Sequence, residues 1–252
     1  MLLTALSGIP NVHEGDDVAA LLVDALGRGG LTLCDGDVVA VAQKIISKAE
    51  GRQVRLAEVT PTARAAELAA QAGKDPRLVE LILRESVEVS RVRPGVIIVR
   101  HRLGFTSANA GIDRSNVQTG GGKEEAVLLL PIDPDASAAR LRAALYAATG
   151  ATAGVVITDS HGRPFRLGTV GVAIGVAGLP ALWDRRGEPD LYGYRLQHTD
   201  VGVADEIAAA AGLLMGQAAE GRPAVLIRGL RLPPADGRAT DLVRPPELDL
   251  YR

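Results

Sequence analysis

Short apolar runs alternate along the chain with amphipathic or alanine-rich segments. The apolar runs predict buried strands, and they occupy residues 37–42, 96–99, 127–130, 154–158 and 224–227. The amphipathic segments predict helices, and they occupy residues 16–26, 60–73, 76–89, 136–148 and 203–219. Because strands and helices are mixed without long linkers, the pattern predicts an α+β (mixed α/β) fold class. A proline-rich tail from residue 233 onward is expected to be irregular, with one short helix.

The most apolar stretch, residues 170–182, contains Gly171, Gly175 and Gly178. It is too short to span a bilayer, and its glycines and Pro180 interrupt it, so we expect no membrane partner. Glycines at this spacing also suit a helix-packing face inside a membrane. In a chain of this composition they favour a buried strand or loop with close backbone contacts.

The charge balance gives little support to a nucleic-acid-binding surface. Lys and Arg number 28 and Asp and Glu number 30, for a formal net charge of −2. Aromatic residues make up 3% of the chain, so few side chains are available to stack on bases. We therefore expect no nucleic-acid partner.

A single cysteine, Cys34, excludes an internal disulfide and fits a reducing cytoplasm. It follows Leu31, Thr32 and Leu33, a context that predicts a buried structural thiol rather than a nucleophile. The first residues lack the basic segment and the long apolar core of a targeting signal. We therefore expect a cytoplasmic protein.

Residues 105–117 place many small and polar side chains directly after the apolar run 96–99. They include Asn109, Gly111, Asp113, Ser115 and Asn116. Small residues let a backbone approach a ligand, the carboxylate of Asp113 suits Mg²⁺ or Mn²⁺, and Asn116 can read the edge of a base or a sugar. The alternative is a turn whose side chains satisfy their own backbone.

A second acidic segment follows the predicted strand 154–158. Asp159, Ser160 and His161 come first, and Arg163 and Arg166 lie just beyond. Ligands and metals often sit at the carboxyl ends of strands in α/β proteins, and the two arginines suit phosphate. The alternative is an aspartate that caps a turn beside two solvated arginines. We expect His161 to be a solvent-facing loop residue.

The common phosphate-binding motifs are missing. Residues 120–123, Gly-Gly-Gly-Lys, resemble part of a P-loop, but Glu124 replaces the hydroxyl residue and Val117 stands where the first glycine belongs. This segment is expected to be a surface turn. The four histidines show no metal-ligand spacing.

A series of further motifs occurs in order along the chain, and together they resemble the coenzyme F420-0:L-glutamate ligase family (the F420 gamma-glutamyl ligases) over nearly its whole length. No single motif decides the matter, but their joint occurrence at the family's spacing is specific. The motifs are residues 8–10 (GIP), 35–39 (DGDVV), 42–48 (AQKIISK), 50–52 (EGR), 107–113 (SANAGID), 115–117 (SNV), 130–131 (LP), 133–135 (DPD), 157–160 (ITDS), 162–168 (GRPFRLG), 203–208 (VADEIA), 215–217 (MGQ) and 228–229 (RG).

The resemblance implies a GTP-dependent ligase that activates the lactyl carboxylate of F420-0 as an acyl phosphate and joins it to L-glutamate. Further gamma-linked glutamates would follow. It implies two divalent ions, Mg²⁺ or Mn²⁺, and leaves open the need for K⁺. It also implies the family's unusual ligase fold of mixed sheets with flanking helices, as an intertwined homodimer. Residues 1–252 would form a single catalytic unit, which two interleaved subdomains could compose. Some relatives carry a C-terminal flavin-binding domain, but this chain ends at Arg252, so no reductase domain is expected.

Site residues follow from the resemblance position by position. The expected ligands of one metal are Asp113 and Asp159, and those near a second metal are Ser160 and Gln217. Lys48 is expected to act in catalysis together with the two aspartates. The expected nucleotide contacts are Ile9, Pro10, Asn11, Val12, Gln43, Lys48, Asn116, Met215, Gly216 and Gln217. The family often has Thr where this chain has Ser160, and some relatives have Ser in place of Gln43.

Three other interpretations of the function stay open at this level. One is a related metal- and nucleotide-dependent ligase or kinase with another acceptor, because acceptor contacts cannot be read from one chain. Another is a non-catalytic nucleotide-binding or scaffolding protein, against which the retained Asp113, Asp159 and Gln217 argue. A structural module without ligand is the third and least specific interpretation.

Overall fold

The central sheet is built around a parallel pair of strands. In the computed structural model, which describes residues 1–117 and 125–248, five strands lie in the order β1-β12-β2-β8-β9. They are β1 (Leu2–Leu6), β12 (Ala224–Arg228), β2 (Val38–Ala42), β8 (Gly154–Arg163) and β9 (Arg166–Ala177). Strands β2 and β8 run parallel, with Val38 opposite Gly154 and Ala42 opposite Thr158. The other neighbours are antiparallel.

Helices cover both faces of this sheet, which explains why its middle strands are continuous apolar runs. One face packs against α1 (Val18–Arg28) and α5 (Pro134–Thr149), and the other against α6 (Val203–Met215). The short helix α2 (Gln43–Ala49) follows β2 directly. The first half of β8, from Val155 to Ile157, is fully buried between the two layers.

A second lobe is formed by the chain between α2 and α5, and it has its own hydrophobic core. Large buried residues of this core include Leu56, Leu68, Ile82 and Ile97. Its elements are β3 (Gln53–Arg55), α3 (Ala63–Ala72), α4 (Pro76–Arg84), β4 (Ser86–Arg93), β5 (Val96–His101), β6 (Thr106–Ala108) and β7 (Ala126–Leu128). Strands β4, β5 and β6 form one small antiparallel sheet, and β3 pairs with β7.

The remaining elements are short. Strands β10 (Trp183–Asp184) and β11 (Asp200–Val201) form a two-stranded ribbon. Four 3₁₀ turns lie at Leu56–Glu58, Asn109–Gly111, Ala239–Leu242 and Pro246–Leu248. With six helices and several mixed and antiparallel sheets among the described residues, the predicted α+β class is confirmed. No helix in the described part of the chain is long and apolar enough to cross a membrane.

Three element boundaries differ from the prediction. The helix predicted over 76–89 ends at Arg84, because residues 86–93 alternate polar and β-branched side chains and pair with β5. The helix predicted over 203–219 ends at Met215, where Gly216 takes a φ of 77° that a helix does not allow. The strand predicted over 154–158 continues to Arg163 as one arm of a hairpin with β9.

Two further predictions concern local segments. Cys34 is exposed rather than buried, because it lies in the loop between α1 and β2, where Leu33 turns into the core and Cys34 does not. The thiol lies 3.2 Å from Nη2 of Arg228. The proposed turn at residues 120–123 lies outside the described residues.

Glycines in β9 let two helices approach the sheet closely, as the glycine-rich stretch predicted. A Cβ atom at Gly171 would lie 2.4 Å from the carbonyl oxygen of Ala208 in α6, and one at Gly175 would lie 2.3 Å from that of Pro134 in α5. Both neighbours are backbone atoms, which cannot move aside as a flexible side chain can. The two glycines therefore fix the distance between the helix layers and the sheet.

We expect Gly175→Ala to lower the free energy of unfolding by about 1–3 kcal/mol, because the added methyl group forces α5 away from the sheet. Gly27→Ala is the control, since Gly27 lies in α1 and a Cβ there meets no heavy atom within 4 Å. That variant should be unchanged or stabilised by up to about 1 kcal/mol, because Ala favours helix over Gly. Urea unfolding measures both, and equal stability of the two variants would contradict this account of the packing.

Candidate functional site

A cavity of about 770 Å³ lies between the central sheet and the second lobe. Its walls come from the loop after β1, the junction of β2 and α2, the segment 107–117, the hairpin of β8 and β9, and the chain that follows α6. Every site residue implied by the resemblance lines this cavity: Ile9, Pro10, Asn11, Val12, Gln43, Lys48, Asp113, Asn116, Asp159, Ser160, Met215, Gly216 and Gln217. Residues more than 200 positions apart in sequence thus share one surface.

Asp113 is held by Lys44, a residue in the first turn of α2. The backbone of Asp113 pairs with that of Leu128, the last residue of β7. Its carboxylate accepts hydrogen bonds from the backbone N–H of Ser115 at 2.6 Å and from Nζ of Lys44 at 2.8 Å. Nζ of Lys44 also donates to Oγ of Ser115 at 2.6 Å. Burial raises the pKa of Asp113, but the bonds from Lys44 and Ser115 outweigh it and leave that pKa below its usual value. The carboxylate is therefore ionised at neutral pH.

Asp159 lies inside β8 rather than in a loop after a strand, as the sequence had suggested. Residues 159–163 extend beyond the end of β2 and pair with β9 alone, and residues 159–162 line the cavity. Oδ2 of Asp159 lies 2.9 Å from Nε2 of His161, so the imidazole donates to the carboxylate. The hydroxyl of Ser160 donates to Oε1 of Gln217 at 2.9 Å, which joins the strand to the end of α6.

Two residues of this site were missed or misplaced by sequence reasoning. Lys44 belongs to a motif of the family but was given no role of its own, and its partner Asp113 is too distant in sequence to suggest one. His161 was expected in a solvated loop, yet its side chain is only 10% exposed. The spacing of His161 from Asp159 could have indicated its position, because the side chains of residues i and i+2 of a strand point to the same side of the sheet.

A stack of rings lies behind the site. His101 and Phe105 stack with ring centroids 5.1 Å apart, and Phe105 meets His161 at 4.8 Å. His101 is fully buried, and its Nδ1 accepts the backbone N–H of Leu103 at 3.0 Å. Burial lowers the pKa of His101 to about 4, since the attraction of the nearby Glu85 is smaller than the cost of desolvation. The ring is therefore neutral at neutral pH.

The junction of β2 and α2 supplies two further polar groups to the cavity. Gln43 is buried, and its Oε1 accepts the hydroxyl of Ser47 at 2.7 Å, while its Nε2 has no partner within the described chain. A buried donor without a partner is costly, so this amide is suited to a ligand oxygen. Burial, together with the nearby charge of Lys44, lowers the pKa of Lys48.

Two loops meet across the mouth of the cavity. Asn116 adopts a left-handed backbone with φ of 55°, and its Nδ2 donates to the carbonyl of Ala218 at 3.2 Å. The loop after α6 is closed by Glu220, whose carboxylate accepts the backbone N–H of Ala218 at 2.8 Å. A Cβ atom at Gly216 would lie 2.1 Å from this carboxyl group, so the loop requires glycine there.

Arg163 and Arg166, considered above as a phosphate clamp, do not line this cavity. They lie at the tip of the hairpin formed by β8 and β9, where Nη2 of Arg163 donates to the carbonyl of Leu167 at 3.2 Å. The same tip exposes Phe165 and Leu167 almost completely. None of residues 163–168 lines the cavity.

The donor atoms of the cavity suit hard divalent ions. Among the side chains that the structure describes, no group of three or more His, Cys, Asp or Glu residues could hold a metal. The cavity does offer the carboxylates of Asp113 and Asp159, the hydroxyl of Ser160 and the amide oxygen of Gln217. Mg²⁺ and Mn²⁺ take oxygen ligands of this kind, and Mg²⁺ completes its shell with water and substrate phosphates. The residues therefore fit such an ion when a polyphosphate supplies the remaining ligands.

Comparisons with known proteins agree with one another. The family described as F420-0:Gamma-glutamyl ligase matches residues 8–229. A coenzyme F420:L-glutamate ligase of Methanothermobacter thermautotrophicus is 51% identical, covering 99% of this chain and 98% of that protein. Proteins of the same name from Methanopyrus kandleri and Archaeoglobus fulgidus are 47% and 44% identical, covering 96% and 98% of this chain and 93% and 94% of theirs. The chain belongs to the F420-0:gamma-glutamyl ligase family and is an enzyme of the ligase class.

Proposed function

We propose that this protein is a cytoplasmic, GTP-dependent ligase that joins L-glutamate to coenzyme F420-0 and then adds further gamma-linked glutamates. Family membership supports the ligation of glutamate in coenzyme F420 biosynthesis. The observation that carries the finer proposal is the single cavity of about 770 Å³ that gathers every residue expected to contact nucleotide and metal. Its size suits a nucleotide together with the end of a second substrate.

The proposed reaction has two steps. A carboxylate oxygen of F420-0 attacks the γ-phosphorus of GTP, which forms an acyl phosphate and releases GDP. The amine of L-glutamate then attacks the acyl carbon, loses a proton, and displaces inorganic phosphate. Phosphoryl transfer depends mainly on positioning and electrostatic stabilisation, so the ammonium groups of Lys48 and Lys44 are placed to bind phosphate oxygens.

The metal-binding part of the proposal uses four side chains. Asp113 and Asp159 would hold one divalent ion, and Ser160 and Gln217 would lie near a second. Bound Mg²⁺ or Mn²⁺ supplies positive charge that offsets the triphosphate and the charge developing on the transferred group. For a metal to bind, Asp113 must share its carboxylate with Lys44, and Asp159 must share its own with His161. Whether K⁺ assists is a separate question for the same assay.

We expect Asp113→Asn and Asp159→Asn each to lower kcat by at least about 100-fold, because each removes a carboxylate that would hold the divalent ion, whose positive charge offsets the negative charge developing in phosphoryl transfer. Both variants keep an oxygen that accepts the bonds from Ser115 and His161, so the fold should be retained. Mass spectrometry of F420-0 incubated with protein, GTP, Mn²⁺ and L-glutamate measures the ladder of glutamate additions.

Asp24→Asn is the matched control, since Asp24 is an exposed carboxylate on α1, outside the cavity. It should make the same ladder as the wild-type protein. Wild-type protein that adds no glutamate would refute the proposed activity. Turnover by either site variant at the control's rate would remove that aspartate from the mechanism.

We expect GTP to be preferred over ATP by at least about 100-fold in kcat/KM. A site whose polar groups hydrogen-bond guanine would leave some of those groups without partners when adenine is bound, and this lowers the affinity for ATP. Asn116→Ala should reduce this preference by raising the KM for GTP. If Asn116 only stabilises its turn, the variant will change the melting temperature and leave the nucleotide KM unaltered. Steady-state kinetics with both nucleotides separates these results.

We further propose a homodimer whose active sites lie at or near the subunit interface. Large apolar side chains are exposed at two places: Phe165 and Leu167 at the tip of the β8–β9 hairpin, and Leu191 and Tyr192 between β10 and β11, all at least 95% exposed. Exposed apolar clusters mark association surfaces, and two-fold dimers are the commonest assembly. The hairpin also carries Asp159, so the site and the exposed tip belong to one element.

Sedimentation at micromolar concentration should give one species at twice the monomer mass of 26.2 kDa, because the two exposed clusters would be covered. An intertwined interface should exceed the roughly 1,600 Å² of a standard complex and resist dilution. Leu167→Asp should shift the distribution toward monomer. A single active species at the monomer mass for the wild-type protein would disprove the dimer.

A further inference from the structure

A second cavity of about 290 Å³ adjoins the main one and is called the side pocket here. Phe105, Asp205, Thr240 and Arg244 contribute to its walls. Of the described residues, His161 alone lines both cavities. The two cavities therefore meet at the residue that holds Asp159.

Asp205 presents an incompletely paired carboxylate to the side pocket. It lies in the first turn of α6, and its Oδ1 accepts the backbone N–H of Ala173 at 2.8 Å. Its Oδ2 accepts no hydrogen bond from any residue that the structure describes. Burial raises the pKa of Asp205 more than the bond from Ala173 and the nearby His161 lower it. A cation bound at Oδ2 would offset this cost of burial.

The other acidic side chains of the side pocket already serve the fold. Oδ1 of Asp133 accepts the backbone N–H of Ala136 at 2.9 Å and caps α5. Oδ1 of Asp135 accepts the backbone N–H groups of Val176 at 2.9 Å and Ala239 at 2.8 Å. Asp133 is exposed, and of the two partly buried carboxylates Asp205 accepts fewer bonds from the protein than Asp135, so Asp205 is the better placed to accept a ligand.

A free cation completes the arrangement. Arg244 lies at the exposed rim of the side pocket and makes no hydrogen bond or ion pair with the residues from 1 to 117 or from 125 to 248. One available carboxylate and one available guanidinium on the same small cavity match the two charges of an α-amino acid. Guanidinium groups bind carboxylates in a bidentate manner.

We propose that the side pocket binds the amino-acid substrate, L-glutamate, with its ammonium group on Asp205 and a carboxylate on Arg244. The identity of the amino acid rests on the proposed function, whereas the pairing of charges rests on the cavity itself. A volume near the lower end of small-ligand sites, which run from about 300 to 1,000 Å³, suits an amino acid better than a nucleotide.

The position of the side pocket also suits the order of the reaction. Its ligand would lie beside His161, which also lines the cavity assigned to the nucleotide and the acyl phosphate. Holding the amine beside the acyl carbon converts a bimolecular attack into a step within one complex. Asp205 and Arg244 would then position the amine and would select substrates that carry both an amino and a carboxyl group.

The test varies L-glutamate at saturating GTP and F420-0. Asp205→Asn keeps an acceptor for Ala173 but removes the charge, so the KM for L-glutamate should rise at least about tenfold, with the KM for GTP changed less than about twofold. Glu206→Gln is the matched control, because Glu206 is the next residue of the same turn and is exposed. It should keep both values.

Arg244→Gln provides a second, independent variant should Asp205→Asn fail to fold, as judged by thermal unfolding. It should also raise the KM for L-glutamate at least about tenfold, whereas Arg231→Gln, an exposed arginine outside the side pocket, should not. Calorimetry with wild-type protein should show that glutarate, which lacks the amino group, binds at least about tenfold more weakly than L-glutamate.

The outcomes separate the two proposals. Wild-type protein that forms no glutamylated product would overturn the proposed function and the assignment of L-glutamate with it. Ligation by the wild-type protein, with an unchanged KM for L-glutamate in the folded variants, would overturn the side-pocket assignment alone. An equal rise in the KM for GTP would also overturn the side-pocket assignment, since the substitution would then have disturbed the whole active site rather than the binding of L-glutamate.

Discussion

The parallel pairing of β2 with β8 is the constraint on which the site depends. These strands are separated by more than 100 residues, yet their register sets Ala42 beside Thr158. The chain after Ala42 turns at once into α2, and the chain after Thr158 continues as one arm of a hairpin. Lysines from one segment and Asp159 from the other therefore face the same cavity. A shift of this register by one residue would send each side chain to the other face of the sheet.

The second lobe completes the cavity through polar contacts, and a few of its apolar residues, Leu130 and Phe105 among them, also pack against the core of the central sheet. The Lys44–Asp113 ion pair joins α2 to this lobe at the cavity. The bond from Nδ2 of Asn116 to the carbonyl of Ala218 joins the lobe to the chain after α6. The two lobes are thus joined by directional bonds that fix where Asp113 lies relative to the sheet.

Sequence patterns predicted most elements of the fold, and the resemblance named residues that the structure gathers in one cavity, but neither gave the mutual geometry of these residues. Continuous apolar runs marked β2 and β8 because both faces of those strands are covered. Pattern could not show that β8 continues through Asp159, because polar residues facing a cavity interrupt the apolar run. It also could not place Lys44 on Asp113 or His161 between two cavities, since these contacts depend on tertiary folding. The exposed Cys34 shows the opposite error, in which an apolar local context did not mean burial.

The buried ring of His101 makes the stability of this protein depend on acidity. In the unfolded chain this imidazole binds a proton near pH 6.5, whereas in the folded chain its pKa lies at about 4. Between these values the unfolded state holds more protons, so stability falls as the pH is lowered through this window and is unaffected above it. The full loss, below pH 4, is about 3 kcal/mol for this one residue, a large fraction of the total stability of an ordinary domain. Phe105 stacks on His101 and meets the ring of His161 at an angle of 54°, so protonation of His101 in acid would weaken the contacts that support a residue lining both cavities.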